Sequence, residues 1–151
     1  PLGLGRPARE EEVRAWDLDV LPDGTGLPPG RGTAAEGARV YAARCARCHG
    51  QTGREGPNAV LVLPYDPRGP WPPLPRTVGN FWPYATTLYD YVNRAMPFDA
   101  PGSLTPDEVY SVVAWLLYQN GVIEEGEAMD QETLPRVEMP ARRHFRPAEE
   151  W

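Results

Sequence analysis

Apolar positions mark one segment of the chain as a helix without ambiguity. Val109, Val112, Val113, Leu116 and Leu117 recur at three- and four-residue spacing, the stripe of one helix face. Thr105 stands where an N-cap belongs, with Pro106 at the first helical position and Glu108 at the third. Asn120-Gly121 then stops the helix. A second helix is predicted over residues 86–95, with Leu88, Tyr91, Val92 and Ala95 on one face. Met96-Pro97 ends it, because a residue before proline avoids the helical region. A third opens at Thr33-Ala-Ala-Glu36, a capping-box pattern, and carries Gly37, Tyr41 and Cys45 along one face. A glycine on that face lets another backbone come close. A short helical candidate spans Arg9–Trp16. Residues 21–30 are dense in turn formers, and residues 50–85 hold too much proline for regular strands. No repeat and no alternating β pattern of useful length appears, so the predicted class is all-α.

Composition adds an organisation to these elements. Of 151 residues, 41% are apolar, enough for a core but not a large one. Proline is high, at 19 residues, with 15 glycines beside it. Charge divides the chain: residues 1–32 hold 4 Arg and 6 acids, residues 33–123 hold 7 of each, and residues 124–151 hold 4 Arg and 8 acids. We therefore expect an N-terminal arm (1–32), a helical domain (33–123) and an acidic C-terminal arm (124–151). The net charge of −6 argues against nucleic acid, which asks for a basic footprint. No apolar run approaches the ~20 residues of a membrane span. All basic residues are Arg, from which nothing functional follows. The chain starts at Pro1, which a cleaved export signal or an artificial start would explain. The expected location is the periplasm or outside the cell.

The chemistry concentrates at Cys45-Ala-Arg-Cys48-His49. Two cysteines are too few for a disulfide scaffold, and C-x-x-C-H is the attachment sequence for c-type haem. Two thiols three residues apart lie on one helical turn and can add to the two vinyl groups of one haem edge. The next residue turns an imidazole toward the iron. Three readings compete: a thioredoxin-like dithiol, which lacks its βαβ context here; a zinc site, which needs four ligands; and a C-x-x-C-H with no chemical role. The sixth iron position has Met96, Met129, Met139 and His144 as candidates. Met96 is favoured, because it follows a helix directly, is held extended by Pro97, and lies in the middle segment. An empty sixth site would point to gas or peroxide binding instead. The proximal His49 also needs an acceptor for its other ring nitrogen, and a carbonyl of Gly56-Pro57 is the expected partner.

These features together resemble a class I cytochrome c over residues 33–123. Gly37, Tyr41 and Trp115 match that family's crossed terminal helices, and the Gly-Pro and Met-Pro loops match as well. The resemblance implies helices wrapped around one covalent haem with an exposed thioether edge, and proline-rich arms outside it. Residues 77–88 and 94–110, with Gly5–Val20 and Pro22–Pro29 of the first arm, resemble more narrowly the monohaem cytochrome subunits of bacterial sulfite dehydrogenases. They are equally similar to the cytochrome subunit of the sulfane dehydrogenase of the thiosulfate-oxidising (Sox) system. In that group the cytochrome receives electrons from a molybdenum-cofactor subunit that oxidises the sulfur compound, and passes them to a downstream carrier such as another cytochrome or an oxidase. Sulfane dehydrogenase cytochrome subunits often carry a second haem domain, so the single C-x-x-C-H favours the sulfite type or a shortened relative. The resemblance also places Trp82 and Tyr84 near the haem. With Arg76, they carry donors suited to its propionates.

The expected function is electron transfer rather than catalysis, with haem c as cofactor and His49 and Met96 as axial ligands. A free shuttle to a terminal oxidase, an open-site haem enzyme or sensor, and a zinc-binding module are the alternatives. The arms, bearing Trp16 and Trp151, are too proline-rich to form cores of their own. One is expected to wrap a catalytic subunit or to pack back on the domain. Arg44 and Arg47 are candidates for a basic rim at the haem edge.

Overall fold

The computed structural model describes residues 3–14 and 16–146. Trp151 lies outside the described residues, as does Ala15 within the first predicted helix. In chain order the elements are α1 (Glu10–Arg14), β1 (Arg31–Thr33), α2 (Ala34–Arg44), α3 (Ala46–His49), α4 (Val78–Phe81), α5 (Ala85–Ala95), α6 (Pro106–Gln119) and β2 (Ala128–Asp130). Two single 3-10 turns follow, at Leu134–Arg136 and Arg142–His144.

The helix starts are local chemistry. Thr33 and Glu36 form the expected capping box at α2, and Thr105 and Glu108 form the one at α6, with Pro106 at its first position. Each box satisfies two backbone donors that a helix start leaves open. A third box, Thr77 with Asn80, starts α4 inside the stretch expected to be loop.

Helices α2 and α6 cross at Gly37. A Cβ there would stand 1.9 Å from the Ser111 carbonyl oxygen and 2.7 Å from the Trp115 Cβ, so only glycine allows the approach. Tyr41 stacks on Trp115 beside the crossing, with ring centroids 3.8 Å apart. α6 is the central element, buried from Val109 through Leu117. α5 packs across it, but not with all of the expected face. Leu88 and Val92 are buried, Tyr91 is exposed, and Tyr89 is fully buried instead. The apolar arc of α5 is thus turned toward Ala85, Leu88, Tyr89 and Val92.

The C-terminal segment is built into this core. β2 pairs antiparallel with β1, matching Gly32 to Met129, a three-residue ribbon too short to show in sequence alternation. Met129, Leu134, Met139 and Ala141 are buried. The N-terminal segment behaves differently: α1 buries nothing, and the first buried residue among those described is Val20, whose N–H donates to Asp90 Oδ1 at 3.0 Å.

Candidate haem site

Cys45 sits at the junction of α2 and α3, where the chain turns a corner. Cys48 and His49 both donate their N–H groups to the Cys45 carbonyl at 3.0 Å, so the motif is one closed turn. Both cysteines are unpaired and half-buried. Burial pushes the Cys45 thiol up to about 11. A catalytic dithiol needs the opposite, a thiolate stabilised near neutral pH. Among the described residues no group of three or more His, Cys, Asp or Glu is placed to hold a metal ion, so the four ligands of a zinc site are not assembled there.

His49 Nδ1 lies 2.8 Å from the Ala59 carbonyl oxygen. A carbonyl only accepts, so Nδ1 carries the hydrogen, and in the neutral ring Nε2 keeps its lone pair for a metal. The acceptor is therefore Ala59, not a carbonyl of Gly56-Pro57. Pro57 is exposed, and Gly56 has another task. A Cβ on Gly56 would stand 2.3 Å from both the Cys48 oxygen and the His49 carbonyl carbon, so glycine lets this loop lie flat on the motif turn. Asn58 N–H donates to the Cys48 carbonyl at 3.0 Å, and Tyr41 Oη donates to Gly50 O at 2.9 Å.

The strand of chain beyond Ala59 is held from behind. Asn120, expected only as a helix stop, is buried and accepts from Leu63 N–H at 3.0 Å while donating to Leu61 O at 3.2 Å. Thr77 Oγ1 donates to the Leu63 carbonyl at 2.9 Å. These bonds fix where residues 61–63 run, and through them where the Ala59 carbonyl meets His49.

Met96 caps the C-terminus of α5 with extended backbone (φ −126°, ψ 149°), as expected before proline. It is half-buried against the core, together with Cys45, Leu61 and Trp82. Two side-chain bridges bring its loop to the motif: Arg47 to Asp99 at 3.0 Å, and Arg44 to Ser103 Oγ at 2.7 Å. Arg47 is thus matched by an acid, whereas Arg44 bonds a neutral hydroxyl and keeps its charge, so only half of the expected basic rim is neutralised.

The other sixth-ligand candidates are engaged elsewhere. Met129 and Met139 belong to the C-terminal segment and are buried in the core. His144 stacks on Trp71 with centroids 3.9 Å apart, and its Nε2 lies 2.9 Å from Tyr65 Oη. Trp82 meets Tyr91 edge-on at 5.7 Å. Tyr84 lies under Arg142 at 4.8 Å, and Arg76 over Phe81 at 4.7 Å. Arg76 therefore belongs to the cluster that joins Phe81 to Trp71 and Phe145. A cavity of about 470 Å³ lies under the C-terminal segment, lined by Val122, Ile123, Met129 and Val137, and includes none of Cys45, His49 or Met96. Donor chemistry, not cavity size, locates the site: two free thiols on one turn, an imidazole with its tautomer fixed, and a methionine whose following loop is bridged to the same turn. These residues fit a covalently bound haem.

Residues 32–116 match the family model described as cytochrome c oxidase, cbb3-type, subunit III. No curated protein matches the chain. Among solved structures, it is similar to a chain of the sulfane dehydrogenase SoxCD from Paracoccus pantotrophus. The two share 41% identity, with a TM-score of 0.85 over 99% of this chain and 74% of that one. Motif, crossed helices and both likenesses agree: the chain belongs to the c-type cytochromes.

Proposed function

We propose that this cytochrome is the electron-transfer subunit of an exported sulfur-oxidising dehydrogenase, taking electrons from a molybdenum-cofactor subunit and passing them to a downstream carrier. The observation that carries this reading is the likeness to a SoxCD chain at 41% identity, which extends over 99% of the chain and so includes both arms. That likeness favours sulfane over sulfite as the ultimate donor. No described helix is long and apolar enough to cross a membrane.

In this reading Cys45 and Cys48 would hold one haem covalently, and His49 and Met96 would be the protein ligands to its iron. A haem so ligated supplies a reversible one-electron step at a raised potential, with no position left for substrate. The chain's part is to keep that ligation still. Ala59 fixes the His49 ring, Pro97 fixes the Met96 backbone, and the Arg47–Asp99 and Arg44–Ser103 bridges tie the two ligand segments together.

Absorption spectra of the oxidised and reduced protein test the ligation. A c-type reduced spectrum with the weak far-red sulfur–iron band in the ferric form is expected. Met96→Ala should keep the haem, lose that band, and lower the potential on the order of 0.1 V or more, within the ~0.8 V that axial ligands span. An unchanged potential would remove Met96 from the site. Carbon monoxide binding to the ferrous wild type would favour an open-site haem protein instead.

A further inference from the structure

The two arms share a proline-rich composition, yet only one packs. The C-terminal segment buries Met129, Leu134, Met139 and Ala141, whereas no described residue from Gly3 to Asp19 is buried. Leu4 and Trp16 are 86% and 87% exposed, and Val13, Leu18 and Leu21 are about half exposed. Even so, the arm has shape of its own. Arg6 Nη1 donates to Glu12 Oε2 at 2.7 Å, Arg9 N–H donates to the same oxygen at 2.9 Å, and α1 forms over them. It is moored at its far end by Val20 to Asp90 and by Asp19 to Arg94 at 3.4 Å. Apolar side chains left this bare on a shaped segment mark an interaction surface, and Trp is the residue type most often central to one.

We propose that residues 3–21 are the arm by which this cytochrome holds its catalytic subunit, with Trp16 and Leu18 seated in an apolar cleft whose rim is basic. This rests on the reading above. Two observations select that occupant. The likeness to a chain of the SoxCD dehydrogenase runs through the arm, although no described residue from Gly3 to Asp19 is buried against the cytochrome's own domain. Residues 3–19 also carry 3 Arg against 5 acids, a net −2 on a chain of net −6. That charge repels both an anionic membrane surface and a second copy of this chain, and suits a basic rim.

The test uses the tagged full chain, produced in its native host and purified with whatever it holds. Molybdenum and haem are measured in the wild type and in a Trp16→Ala/Leu18→Ala variant. The wild type should carry molybdenum in near-stoichiometric ratio to haem. The variant should lose at least about tenfold of it, as expected for removing a central Trp. Its melting temperature and ferric far-red band should be unchanged. Equal molybdenum in both proteins would overturn the arm's role while leaving the electron-transfer reading intact. A wild type free of molybdenum would overturn both. A wild-type homodimer that the variant dissolves would assign the arm to a second copy and also overturn the proposal.

Discussion

Tyr89 is fully buried between α5 and α6, and its hydroxyl finds no partner among the described residues. Its ring packs on Tyr110 with centroids 4.5 Å apart, and burial drives its phenol well above the ordinary value. A buried hydroxyl without a partner costs about 1–3 kcal/mol. Tyr89→Phe keeps the ring and removes that cost, so it should raise stability by about 1 kcal/mol in a denaturant titration. A loss of similar size would show that the hydroxyl is satisfied in solution. Tyr41 makes the contrast: equally buried, it spends its hydroxyl on the Gly50 carbonyl and closes the loop over the motif turn.

Pairs of elements decide the next two outcomes. The α2–α6 crossing depends on Gly37, where an added methyl would meet the Ser111 carbonyl at 1.9 Å. Backbone cannot yield as a side-chain tip can, so Gly37→Ala should destabilise by ~3 kcal/mol or more, by forcing the helices apart. The exposed neighbour is the control: Ala38→Gly should cost only about 0.5–1 kcal/mol. The loop after α3 is held by Glu55, whose carboxylate accepts from Thr52 N–H at 3.0 Å and from Thr52 Oγ1 at 2.5 Å. Those bonds hold its carboxyl down at about 2. A depressed carboxyl stabilises the fold fully above its unfolded value and loses that contribution as pH falls toward the folded one. Protection of the Thr52 amide, taken relative to the unprotected exchange rate at each pH, should therefore weaken as pH falls from about 4.5 toward 2, whereas Glu55→Gln should show little protection throughout. These elements were legible in unequal measure, for a physical reason. The Thr33–Glu36 and Thr105–Glu108 boxes were plain, because a cap is written within four residues. The Thr77–Asn80 box is equally local, but asparagine in place of glutamate and the surrounding prolines hid it. The acceptor for His49 was missed by two residues, since any residue carries a carbonyl and the sequence holds no mark of which one is used. The β1–β2 ribbon was invisible: three residues pair with three others about a hundred positions away.

For the molecule as a whole, similar composition in the two arms conceals opposite mechanical roles. The C-terminal segment contributes Met129, Leu134 and Met139 to the core and supplies the partner strand of β1. Three such side chains, at ~1.5–3 kcal/mol each, bring roughly 5–9 kcal/mol of burial, which is comparable to the 5–15 kcal/mol by which whole domains are stable. Among the described residues, the segment before Val20 brings no buried side chain. Removing residues 1–18 should thus leave the melting temperature within about 2 °C of the full chain, a shift smaller than 1 kcal/mol would give. Removing residues 124–151 should prevent accumulation of folded haem protein, or lower its melting temperature by tens of degrees. Absorbance-monitored melts of both truncations, matured under the same conditions, compare the two directly. If the long C-terminal deletion folds normally, residues 1–123 suffice as a folded unit and the packing of Leu134 and its neighbours is incidental. If the short N-terminal deletion unfolds, the arm is held to its own domain in solution, and its exposed tryptophan is not free to meet a partner.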